Sequence, residues 1–148
     1  MLPAMIRVAP AYLDSQFDAA EYDGLAWLSS MICASDAFRP EHPTYGLSQS
    51  LFLLVEGLSW FAQAARSGVR TYFEATPVER QQAMLRALEH EAAPDDLLDN
   101  YRSGISAWRD PVLTADLDRW IDRSDEANTR YLWSLARAHR PEIEALIA

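Results

Sequence analysis

The chain has 148 residues, 49% of them hydrophobic, which is enough for one globular domain with a real core and excludes a disordered segment. Its 22 acids against 13 basic residues give a net charge of −9, which argues against nucleic acid or an anionic membrane as a direct partner and allows a basic one. All the basic residues are Arg, and the single cysteine, Cys33, leaves no intramolecular disulfide to form.

Residues 1–12 read as irregular, apart from a short extended piece at Met5-Ile6-Arg7-Val8. They show neither the apolar core nor the small-residue site of a secretory leader. No apolar run approaches the roughly 18 residues needed to span a bilayer, so the expectation is a soluble, cytoplasmic protein. From Ser15 a helical spacing begins through Phe17, Ala20, Leu25, Leu28, Met31 and Ile32, with Gly24 as the place where it splits or bends. The other side of this segment carries Asp14, Asp18, Glu21 and Asp23 with no base between them. Residues 35–46 form a loop, because Pro40, Pro43 and Gly46 interrupt any helix there.

Residues 47–76 hold the stretch around which the rest is built. Leu47, Leu51, Leu54, Val55, Leu58, Ala62 and Ala65 recur at helical steps, and Phe52, Leu53, Trp60 and Phe61 make most of the remaining circumference apolar. A helix apolar nearly all round is covered on several sides. Glu56 is the only charge between Ser48 and Ala65. The expected span is Ser48 to Arg66, with Ser48 or Ser50 as cap and Ser67-Gly68 as the stop.

Val69 to Glu74 reads as one further turn with Tyr72-Phe73 as an aromatic anchor. Thr76-Pro77-Val78-Glu79 has the form of a capping box and opens a helix with Val78, Met84, Leu85 and Leu88 on its apolar face. Pro94 ends that helix, and Asp95 or Asp96 starts a shorter one with Leu97, Leu98, Tyr101, Ile105 and Trp108. Asp110-Pro111 is a break, Thr114 and Asp116 open the next segment, and a last long helix runs to a break at Pro141. Glu142 to Ala148 is a tail with room for a turn or two. No segment alternates as a strand does, so the expected fold is all-α: a single compact domain, 1–148, of about six helices around a central apolar one.

Little in this sequence carries chemistry. His42, His90 and His139 lack paired ligand spacing, and neighbours such as Glu89-His90-Glu91 point in different directions on a helix, so no metal or cofactor is expected. There is no nucleophile elbow and no glycine-rich phosphate loop. Cys33 reads as an inert thiol on an apolar helix. The five tryptophans read as core, and the acidic run around Asp116, Asp118, Asp122 and Asp125, interleaved with Arg119, Arg123 and Arg130, as a solvated face. Glu56 is the one tempting acid. Its ordinary reading is pairing with an Arg or a Trp indole N–H. Its other reading is an acid in an open pocket with Gln63 and nearby aromatics, which would make a small-ligand binder or an enzyme.

Three features together resemble the bacterial DNA-mimic protein family, a group of small acidic all-helical domains. These are the long apolar helix LSQSLFLLVEGLSWFAQ, the glycine turn running from Arg66 through Gly68 to Tyr72-Phe73, and the late helix DEANTRYLWSLARAHRPE. The similarity is carried by residues 47–94 and 125–141, and the Trp27-Leu28 helix and Tyr45 loop fit the family's N-terminal layout loosely. The turn departs from the family's polar pattern, with Gln63, Ala65, Arg66, Ser67 and Thr71 at positions normally held by Glu, Asn, Asn, Gly and Gln. The resemblance implies a homodimer whose carboxylates imitate phosphates and occupy the DNA-binding face of another protein.

Charge placement points the same way. Residues 1–47 hold six acids against Arg7 and Arg39, while residues 48–75 hold Glu56 and Glu74 against Arg66 and Arg70. The expected function is therefore non-enzymatic binding of a protein, a DNA-binding one in particular. Asp14, Asp18, Glu21 and Asp23 form the first candidate face and Asp95, Asp96 and Asp99 the second. An immunity-like or scaffolding helical protein remains a third class.

Overall fold

A computed structural model describes residues 8–148; Met5, Ile6 and Arg7 of the expected extended piece lie outside them. Among the described residues there are nine helices and no strand, in one compact arrangement. The order is α1 (Pro10–Ala19), α2 (Tyr22–Cys33), α3 (Gln49–Ser67), α4 (Val69–Ala75), α5 (Val78–His90), α6 (Asp95–Ala107), α7 (Pro111–Arg123), α8 (Asp125–Ala138) and α9 (Arg140–Ile147). The all-α expectation holds, but about six helices was too few. The first expected helix is two, α4 is a helix of its own, and the tail forms α9.

The central element is α3, and α2, α4, α5, α7 and α8 all pack on it. Every side chain from Ser50 to Leu58 is buried, as an apolar circumference requires. The Ser48 hydroxyl accepts from the Leu51 N–H, at 3.4 Å, so the cap is Ser48 and not Ser50. Gly68 stops the helix with φ +94°, a backbone conformation that a side chain would strain. The chain then turns straight into α4, whose first N–H, that of Val69, donates to Asp118 on α7 at 2.7 Å. Asp118 is thus a half-buried cap for another helix, and not part of a purely solvated face.

Other boundaries differ for identifiable reasons. α1 and α2 part at Ala20, which takes a left-handed conformation, whereas Gly24 sits buried inside α2 against Trp133. The capping box at Thr76 does not form. The Thr76 hydroxyl donates back to the Tyr72 carbonyl (2.6 Å), and Gln81 donates to the carbonyls of Phe73 and Thr76 (2.9 and 3.0 Å). Val78, expected on the apolar face of α5, is 67% exposed; Ala83, Met84, Ala87 and Leu88 make that face. Asp110 caps α7 through the Val112 N–H, one turn before the expected start at Thr114. The last break falls at His139, and Pro141 occupies the first turn of α9, where its missing N–H costs nothing.

Aromatic residues fill the space between α3, α4, α6 and α7. Trp60 lies against Tyr101 and Trp120 with ring centroids 4.9 and 5.5 Å apart, and Phe73 against Tyr101 at 5.1 Å. Trp60, Trp120 and Trp133 are core; Trp27 and Trp108 are half-buried on its edge. Gly104 lets α6 approach α4 closely, since a Cβ there would stand 2.2 Å from the Phe73 ring.

Candidate functional site

The one acid inside α3 is enclosed. Glu56 is 2% exposed, and its two carboxylate oxygens accept from the hydroxyls of Tyr45 and Tyr72 at 2.5 and 2.6 Å. Tyr72 in turn shares a 2.9 Å hydrogen bond with Tyr101. Burial raises the Glu56 carboxyl above its ordinary range; the two phenol hydroxyls and the Arg80 charge pull the other way without reversing it. Burial also pushes all three phenols well above their usual range, which keeps them as donors. The expected partners of Glu56, an Arg or a Trp indole, are not the ones found, and the buried Trp60 Nε1 has no partner among the described residues.

Tyr45 ties this centre to the loop of residues 34–48. Arg80 of α5 stands 4.2 Å above the Tyr45 ring and donates to the carbonyls of Pro40, His42 and Pro43 at 2.9–3.2 Å. Loop, α3, α4, α5 and α6 are therefore joined through one chain of polar contacts. Sequence reasoning named Glu56 and missed Tyr45, Tyr72, Tyr101 and Arg80 as its surroundings. The available signal was the lone acid itself, because a buried carboxylate needs donors.

A cleft of about 340 Å3 opens between α2 and α3 beside this network. Tyr45 lines it, and Glu56 does not. An acid working on a bound molecule needs contact with it, so the pocket expected around Glu56 and Gln63 is not present in that form. Gln63 donates to the Ser59 hydroxyl, 2.9 Å away. Cys33 also lines the cleft and is half-buried, with burial raising its thiol above the usual range, Ser29 opposing and the Glu56 charge adding.

The acidic candidates divide. Asp14 pairs with Arg140, which also donates to Glu144 at 2.7 Å and lies 4.5 Å over the Phe17 ring. No base within its own segment neutralises Asp14, but one from α9, 126 residues away in sequence, does. Asp18, Glu21 and Asp23 are exposed at the corner between α1 and α2, with no ion-pair partner among the described residues. That corner is fixed from behind, because the Glu21 carbonyl accepts from the Trp133 indole at 2.9 Å. In the second group, Asp96 accepts from the Trp120 indole (3.0 Å), Asp99 pairs with Arg102 (3.5 Å), and Asp95 is exposed.

Among the described residues, no group of three or more His, Cys, Asp or Glu side chains is placed to hold a metal ion. No helix among them is long and apolar enough to cross a membrane. No protein-family model, curated protein or solved structure matches this chain. The resemblance to the DNA-mimic family therefore rests on the quoted residues alone.

Proposed function

We propose that this protein is a non-enzymatic binding domain that engages a basic protein surface through its α1–α2 corner and competes there with DNA. The supporting observation is the contrast between Asp18, Glu21 and Asp23, exposed and without a cation among the described residues, and Asp14, Asp96 and Asp99, which have internal partners. Uncompensated carboxylates on a rigid corner retain their field for a partner, whereas paired ones have largely lost it. Phosphates follow one another along a strand at short regular steps, and closely grouped exposed carboxylates can stand in for part of that row.

A homodimer, if formed, needs a surface other than the central helix. Leu51, Leu54, Val55 and Leu58 of that helix are all buried inside one copy.

The test is capture of partners from the native host's lysate by the wild-type protein and by the triple variant Asp18→Arg, Glu21→Arg and Asp23→Arg, at low and at physiological salt. The expected result is a partner that the wild type holds at low salt, that added duplex DNA displaces, and that the triple variant fails to hold. Capture that is equal for both proteins and indifferent to salt would sink the proposal.

A further inference from the structure

The α2–α3 cleft has no part in the acidic-corner reading. Its volume of about 340 Å3 lies within the span of small-molecule sites, roughly 300–1,000 Å3. Ala26 on α2 and Ala62 on α3 keep the two helices from filling it with their own side chains, and Leu58 and Val55 contribute an apolar wall.

Three observations define what would fit. The first is charge: among the described residues, no charged side chain lines the cleft. A charged molecule there would lose water and gain no counter-charge, so the occupant is neutral. The second is a fixed aromatic end. Phe38 and Tyr45 close the cleft on the loop side, with ring centroids 4.9 Å apart. Tyr45 adopts a left-handed backbone, φ +56°, which is uncommon for a residue with a bulky side chain. Such strain persists only where the surroundings over-determine it, and here the bond to Glu56 and the Arg80 cation on the ring do so. The buried network thus holds an aromatic wall in place before any molecule arrives. The third is a free donor: the Ser59 hydroxyl accepts from Gln63, which leaves its own proton to give.

We propose that the α2–α3 cleft binds an uncharged, mostly apolar small molecule bearing one acceptor oxygen, with the Phe38–Tyr45 pair as its aromatic wall and Ser59 as its donor. Tyr22 brings one end of the cleft beside the acidic corner, but none of Asp18, Glu21 and Asp23 lines it, so either proposal can fail alone.

Prodan, a neutral naphthyl ketone whose emission shifts with polarity, is a suitable probe for the full-length protein. The expected result is saturable, one-to-one binding with emission shifted to the blue. Ala26→Leu and Ala62→Leu, which fill the cleft from opposite walls, should each weaken it by about tenfold or more. Ser59→Ala should weaken it several-fold while the blue shift grows, because the ketone loses its hydrogen bond. Saturating prodan should also slow the reaction of Cys33, the only cysteine, with N-ethylmaleimide in the wild-type protein. That readout needs no variant to fold. Absence of saturable binding overturns the proposal. So does binding that both leucine variants leave intact, or binding that leaves Cys33 labelling unchanged.

Discussion

Two sets of carboxylates in this molecule meet opposite fates. Glu56 sits at the centre with both oxygens occupied by tyrosine hydroxyls and Arg80 close by. Asp18, Glu21 and Asp23 stand at the α1–α2 corner, exposed and uncompensated among the described residues. A carboxylate inside is retained because its neighbours need it as an acceptor, and its loss is felt as stability. A carboxylate outside contributes little to folding, so its placement is free to serve another molecule. The same residue type therefore reads as structure in one place and as a candidate interface in the other.

The contrast can be broken first at its buried side. Glu56→Ala strips acceptors from Tyr45 and from the fully buried Tyr72 and should cost about 2–4 kcal/mol in urea unfolding. A cost near zero would mean that water reaches the site and that Glu56 is not the buried member of the pair. Gly104→Ala probes the same centre from the apolar side. Its methyl meets the Phe73 ring, so a loss of about 1–3 kcal/mol is expected by the same measurement.

A pH comparison sharpens the account of Glu56. Its carboxyl is raised in the folded protein above an ordinary value of 4.5, so the fold binds that proton more tightly than the unfolded chain does. The stability this contributes is fully present below 4.5 and is lost as pH rises through the folded value. The wild type should therefore lose stability relative to Glu56→Gln as pH rises above 4.5 and through the raised folded value, read as diverging urea midpoints. Midpoints that move in parallel would show that the two phenols hold the carboxylate at its ordinary value.

The smallest effect concerns the border between the two sets. Arg140→Ala releases Asp14, adds a fourth uncompensated acid next to the corner, and should steepen the salt dependence of partner capture modestly. An unchanged salt dependence would place Asp14 outside the interface.

The sequence made the centre of this fold legible and its edges less so. The period of α3 and its Gly68 end could be read directly, and its start down to Ser48 or Ser50, because an apolar circumference and an end glycine are local facts. The Thr76 box could not, since its outcome depends on Tyr72 and Gln81 competing for the same groups. The Asp14–Arg140 pair was hidden for the same kind of reason: charge patterning sees neighbours in sequence, and this base arrives from the far end of the chain. Glu56 was visible as an anomaly, but its tyrosine donors come from a loop and from α4, elements whose depth no periodicity reports.

The most direct test sets the two kinds of carboxylate side by side in one capture experiment. Wild type, Glu56→Gln and the triple variant Asp18→Arg, Glu21→Arg, Asp23→Arg are compared for retention of a salt-sensitive partner, with duplex DNA as competitor. The account predicts that Glu56→Gln retains the partner as the wild type does and that the triple variant loses it while remaining fully helical. Retention by the folded triple variant, with loss in Glu56→Gln, would contradict it.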